Sequence, residues 1–319
     1  MLKVHGISYL IGESSADDVR RDLEIIERDL HCDTVMVTGG DVERLIEAAR
    51  VALDVGLAVY VRPDHTDRPR RELLERLAAV AAAAEALRRE HPDRVTLLVG
   101  TELSHTVPGI VPGFRSFLRL KLILRFHRLL RRRVNRRLHR LLLRTVAIAR
   151  RHFQGPLTYS AAGWEEVDWS PFDVVGVSLY RGARNQATYP DRLRGLVRDN
   201  EGKPVVITEF GCGAFTGADQ RGAGSFQIVD WFAEPPRIRD DHPRDESVQA
   251  RYLGELIDLY DAEGVHGCFV FTFAMPDFTR REDPSLDLDK AGFGVMAVTD
   301  DGVCQRKEAF DEVARRYGG

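Results

Sequence analysis

Two glutamates pose the first question. Glu102 stands in "VTLLVGTELS" and Glu209 in "PVVITEFG", each at the end of a short apolar run and 107 residues apart. Runs of this kind read as strands buried on both faces, where a charge is costly unless it has a partner or a task. Two carboxylates facing one pocket can divide the work of glycosidic cleavage. One protonates the leaving oxygen while the other attacks or stabilises the cationic sugar carbon. The pair must differ in pKa: burial and a charged neighbour raise the acid, and hydrogen bonds keep the nucleophile ionised. A single strand-end glutamate is more often a loop cap or an ion-paired group, so the pairing carries the argument.

Other side chains could serve the same pocket. Tyr180 closes "DVVGVSLY" and could hold a carboxylate or simply fill the mouth. Arg62, Asp64 and His65 in "VRPDHTD" could line the pocket or pair with one another. Thr101, Tyr159, Trp164 and Phe271 complete the expected substrate-binding set, with Trp164 and Trp231 as sugar-stacking platforms or ordinary packing. Cys212, three residues past Glu209, has no paired histidine motif and reads as a small wall residue. The ten histidines contain no HExxH, and "DPSLDLDK" lacks the glycine and final glutamate of a calcium loop. No metal or cofactor is expected, since a two-glutamate mechanism needs none.

Something must hold these groups together. Eight strand-like runs alternate with helical ones: 3–10, 34–39, 58–64, 95–103, 156–162, 173–180, 204–211 and 267–274. "SSADDVRRDLEIIERDL" opens on a serine cap with acids in its first turn, and "DVERLIEAARVALDVG" ends on glycine. Repeated strand–helix units favour a parallel sheet, and eight of them in 319 residues match a (βα)8 TIM barrel. A doubly wound open sheet is the rival, but no strand is followed by GxGxxG or a P-loop. The expectation is one α/β barrel domain over 1–319, with an insertion at 104–155 and a long loop at 212–246. Excursions of that length usually form lids or binding loops. In a barrel, the ends of strands four and seven face the same mouth.

Here the sequence resembles the clan A retaining glycoside hydrolases, in which a glutamate ends strand four and another, in "TEFG", ends strand seven. The short "GTEL" form is similar to a β-mannanase-like group. The segments "VGTELSHTVPGIVPG", "FDVVGVSLYRGARNQATYPDRL" and "VHGCFVFTFAMPD" also resemble actinobacterial barrel proteins labelled "abortive infection". The resemblance implies Glu102 as general acid/base, Glu209 as nucleophile and Tyr180 as its hydrogen-bond partner. The chain departs from the clan at Thr101, where asparagine is usual, and at Phe271 and Phe273, where strand eight often carries tryptophan. The clan's arginine near strand two is missing from "VMVTG", and Arg62 on strand three could supply that charge.

Composition sets the outer bounds. The formal net charge is −3, and no run approaches a transmembrane length. The opening "MLKVHGISYLIG" reads as a first strand, not a signal peptide, so a cytoplasmic protein with reduced cysteines is expected. Charge is unevenly spread. Residues 115–151 hold fourteen Lys/Arg and no acid, against 32 basic and 49 acidic residues elsewhere. Apolar steps of three and four make this arm helical. A single 37-residue helix would span about 55 Å, so a break near Arg131–Val134 is expected. The arm could dock on acidic surface of its own or a sister chain, attract an anionic ligand, or bind nucleic acid or an anionic membrane. Sparse aromatics argue against single-strand stacking.

The expected function is retaining cleavage or rearrangement of a small soluble glycoside or biosynthetic intermediate. A non-hydrolytic glycoside-binding protein and a nucleic-acid-binding defence factor are the alternatives.

Overall fold

Eight parallel strands close into a barrel: β1 (Val4–Leu10), β2 (Thr34–Gly39), β3 (Ala58–Pro63), β4 (Val95–Thr101), β5 (Leu157–Ala161), β6 (Val175–Ser178), β7 (Val205–Phe210) and β8 (Gly267–Val270). The computed structural model describes residues 1–12, 14–240 and 242–319, apart from the side chain of His127. Each expected run contains one barrel strand. All but β2 are shorter than expected, β6 and β8 by the most: Tyr180 lies two residues beyond β6, and Phe271 lies just past β8.

The strands are apolar on both faces because helices cover them outside and side chains fill them inside. Met36, Tyr60, Leu98, Val174, Val206 and Phe269 form a buried interior layer. Gly6 is needed there: a Cβ at that position would lie 2.4 Å from the Phe269 ring. Further along the strands the interior turns polar. Ser160 Oγ lies 2.9 Å from Ser178 Oγ and 2.6 Å from Thr208 Oγ1, a chain of hydroxyls that satisfies itself.

The outer layer comprises α1 (Ala16–Arg28), α2 (Val42–Asp54), α3 (Arg70–Glu90), α4 (Ser116–His152), α5 (Tyr189–Asp199), α6 (Glu246–Ala262) and α7 (Glu308–Gly318). Ser15 and Asp18 form a reciprocal capping box at α1, and Asp41 accepts from the Arg44 backbone N–H at α2. The β5–β6 crossover, residues 162–174, contains no helix. Lys203 Nζ ties this loop down, donating to the carbonyls of Trp169 (2.6 Å) and Phe172 (2.7 Å). Among the described residues, no helix is long and apolar enough to cross a membrane.

The basic arm is α4, and its break falls at Phe126 (φ −122°, ψ 24°), not near Arg131–Val134. The reason lies in the buried stripe. Leu130, Val134, Leu138, Leu141, Leu142, Val146 and Ala149 dock as one continuous ridge, with α4 packed beside α3 and β4, so the helix runs unbroken through 131–134. Ahead of the kink Arg119 and Ile123 are buried, and Leu120 and Leu124 of this first segment line the barrel mouth.

Candidate active site

Glu209 is the penultimate residue of β7 and is 7 % exposed. The Arg62 guanidinium, reaching from β3, donates to its Oε1. The Tyr180 hydroxyl donates to its Oε2 at 3.2 Å. Burial raises the Glu209 carboxyl above its ordinary range; the Arg62 charge opposes this, and Glu102 adds to it. A guanidinium keeps its proton, so contact with Arg62 favours the carboxylate. Burial, followed by the Glu209 charge, raises the Tyr180 hydroxyl well above its usual value, so it stays a donor.

Glu102 follows β4 in the left-handed region (φ 45°, ψ 43°). A non-glycine residue pays about 1 kcal/mol or more for that backbone, a strain often found at functional sites. The bend opens one helical turn, Leu103–Thr106, which folds His105 back onto the carboxylate. His105 Nε2 lies 2.7 Å from Glu102 Oε2, and Nδ1 lies 2.9 Å from Ser116 Oγ at the start of α4. Trp164 stands beside this imidazole, ring centroids 5.9 Å apart, and donates its indole N–H to Ser104 Oγ at 3.1 Å.

Behind the turn lies a buried polar knot. Tyr159 Oη donates to Glu165 Oε2 (2.8 Å) and accepts from the Leu103 N–H (2.7 Å). Glu165 also accepts from the Ser104 and Ala162 backbone N–H groups, at 3.0 and 2.9 Å. Burial raises the pKa of both Tyr159 and Glu165. Both therefore brace the segment that carries Glu102.

Glu102, Glu209, His105, Tyr180, Trp164 and Phe271 line one cavity of about 520 Å3 at the C-terminal ends of the strands. Both long excursions contribute walls: Leu120 and Leu124 from the arm, Phe226 and Gln227 from the 212–246 loop. The remaining expected contacts lie elsewhere. Tyr159 is fully buried, which corrects its reading as a substrate contact. Asp64 caps its own turn, accepting from the Thr66 N–H at 3.0 Å. His65 is buried, both ring nitrogens lack a hydrogen-bond partner, and burial pushes its pKa down to about 4. Thr101 Oγ1 is also buried without a partner. None of these four lines the cavity, and Arg62 reaches it only through Glu209. Trp231 packs edge-on against Phe278, 5.5 Å away, outside the lining.

The sequence reading missed His105, although the Glu-x-x-His spacing of a single helical turn was there to be seen. It also missed Leu120, Leu124, Phe226, Phe278 and Phe293, which only the tertiary fold brings to the mouth.

Fold and site together define a (βα)8 barrel with a glutamate at the end of each of β4 and β7, both open to one cavity. Solved glycoside hydrolases share the architecture. A GH113 β-1,4-mannanase superposes with a TM-score of 0.66 at 15% identity over 100% of both chains. The GH113 β-mannanase AaManA from Alicyclobacillus acidocaldarius, in complex with ManMIm, gives 0.63 at 14% over 100% of this chain and 98% of that one. A β-D-glucuronidase of Dictyoglomus thermophilum gives 0.59 at 15%, matching 99% of this chain and 50% of its own. No family model and no curated protein sequence matches the chain. At such identities the likeness is one of fold.

Proposed function

We propose that the protein is a retaining glycoside hydrolase acting on a small soluble glycoside. Glu209 attacks the anomeric carbon as the bond from that carbon to the leaving oxygen breaks, and Glu102 in its acid form protonates that oxygen. Glu102, now a carboxylate, takes a proton from water as the water displaces Glu209 from the sugar. Tyr180 and Arg62 orient the nucleophile. His105 holds the acid/base against Ser116. The observation that carries this reading is the bracketing of Glu209 by a cation and a phenol, with Glu102 open to the same cavity.

Glu209→Gln should lower kcat by roughly 10³-fold or more while sugar binding persists. A 2-deoxy-2-fluoroglycosyl fluoride should label the wild-type peptide containing Glu209. Full turnover in the variant defeats the assignment. Thr101, standing where the resemblance expects asparagine, favours a second reading as a glycoside-binding protein. Ligand binding without turnover or labelling by any glycoside tested would select it.

A further inference from the structure

The proton donor must stand beside the leaving oxygen, so the departing group of a substrate lies on the Glu102 side of the cavity. That side is built by the arm. Ser116, in the first turn of α4, fixes His105, which in turn contacts Glu102. Leu120 and Leu124 follow one and two turns later on the same helix face, and both line the cavity. Trp164 completes this wall.

Most of its polar side chains already have a protein partner, and Arg192 is the member that keeps further N–H donors. Both His105 nitrogens face protein oxygens, the Trp164 indole donates to Ser104, and Arg192 Nη2 donates to the Gly163 carbonyl at 2.6 Å. The hydroxyls of a second sugar placed here would trade water for few partners, a cost that selects against them. Of the apolar side chains on this wall only Trp164 is flat enough to stack on a sugar face, whereas Leu120 and Leu124 are branched and cannot. Phe117, 51 % exposed, and Leu124, 56 % exposed, carry the same apolar strip outward along the helix.

We propose that this half of the cavity binds an apolar leaving group, so the substrate is the glycoside of an aromatic or long-chain alcohol and not an oligosaccharide. The inference rests on the hydrolase reading and adds the chemistry of the group released.

The test compares the wild-type protein on p-nitrophenyl, methyl, hexyl and octyl β-mannosides, β-glucosides and β-glucuronides with mannobiose and cellobiose. The kcat/KM should rise along the alkyl series, by up to about fourfold per added methylene, mainly through KM. The disaccharides should fall at or below the methyl glycosides. A p-nitrophenyl preference without the alkyl gradient assigns an aromatic alcohol; a gradient continuing to octyl assigns a chain. In the L120N/L124N double variant the octyl-to-methyl ratio should collapse by at least tenfold. The chain-length series on wild type stands even if that variant folds poorly. Binding is measured separately, by Trp fluorescence of E209Q titrated with octyl glycosides below their micellar concentrations. Saturable octyl binding that exceeds disaccharide binding, with no wild-type turnover, supports the apolar site and removes the hydrolase reading. Turnover that favours disaccharides overturns the apolar site and leaves the hydrolase reading standing. Neither binding nor turnover of any apolar glycoside also overturns it.

Discussion

The two carboxylates are held in opposite ways. Glu209 is rooted in a strand laddered on both sides, paired with Ser178 on β6 and next to Phe210, which pairs with Val270 on β8. Its cation, Arg62, comes from another barrel strand. Glu102 sits one residue past its strand on a left-handed bend, and its partner arrives three residues later from a single turn of helix. That turn is braced by the β5–β6 loop through Glu165 and by the arm through Ser116. The barrel itself therefore fixes one acid, and its insertions fix the other. On the hydrolase reading proposed above, loops on the Glu102 side can be rebuilt while the Glu209 side stays constant.

Breaking the strand-anchored side should do the greatest damage. Arg62→Leu leaves Glu209 with the burial that raises its pKa and without the charge that opposes it. The ionised nucleophile is then lost at a higher pH. The acid limb of the kcat/KM profile should move upward, with activity near pH 6 down roughly 10²- to 10³-fold. Arg62→Lys should restore part of both. An acid limb that stays in place in Arg62→Leu would show that Arg62 does not govern Glu209.

The loop-anchored side should yield less. His105→Ala frees the Glu102 side chain to leave its working position, and kcat should fall roughly 10- to 100-fold with KM little changed. His105→Gln keeps a donor and should recover much of the loss. If Ala and Gln behave alike, the hydrogen bond to Glu102 has no part in positioning.

The same division governs what the sequence made legible. Strands buried on both faces write themselves as short apolar runs, so all eight barrel strands and both strand-end glutamates could be read in advance. The departures come from residues whose meaning is set by contacts distant in sequence. Tyr159 within β5 and Tyr180 just past β6 were both named for the site, yet one is sealed under the Glu102 turn and the other reaches Glu209. Arg62 could be named as a charge for the site, but its direct pairing with Glu209 depends on barrel closure. The apolar steps from Val134 onward are legible in the sequence, but nothing local to Phe126 marks the kink that lies there. The arm and the 212–246 loop stand out by length, but which of their residues line the cavity has no local signature.

His65 sharpens the comparison by lying just behind Arg62 in sequence while serving structure instead of chemistry. It is buried with unpartnered ring nitrogens, and its folded pKa of about 4 lies below its usual 6.5. Between those values the unfolded chain binds the proton more readily, so stability falls as pH drops. The loss should be about 2 kcal/mol between pH 7 and pH 5 and complete below about pH 4. In urea unfolding, His65→Leu should flatten this part of the slope. A variant with the wild-type pH dependence would place the acid sensitivity elsewhere.

The smallest effect is expected on the outer face of the arm. Arg119 and Arg132 lie in one helix but in different physical settings. Arg119 is fully buried, with its guanidinium shared among the carbonyls of His105, Gly113 and Thr106 and the carboxylate of Asp67. Arg132 and Arg136 are exposed and, among the described residues, their guanidinium groups make no hydrogen bond or ion pair. Replacing both with glutamine keeps helix propensity and removes only solvated charge. The unfolding free energy should change by less than about 0.5 kcal/mol. A larger loss that grows with protein concentration would mean that these cations meet the acidic surface of a second copy. The net charge of −17 outside residues 115–151 makes that outcome physically reasonable. A loss independent of concentration would instead place the partner within the same chain.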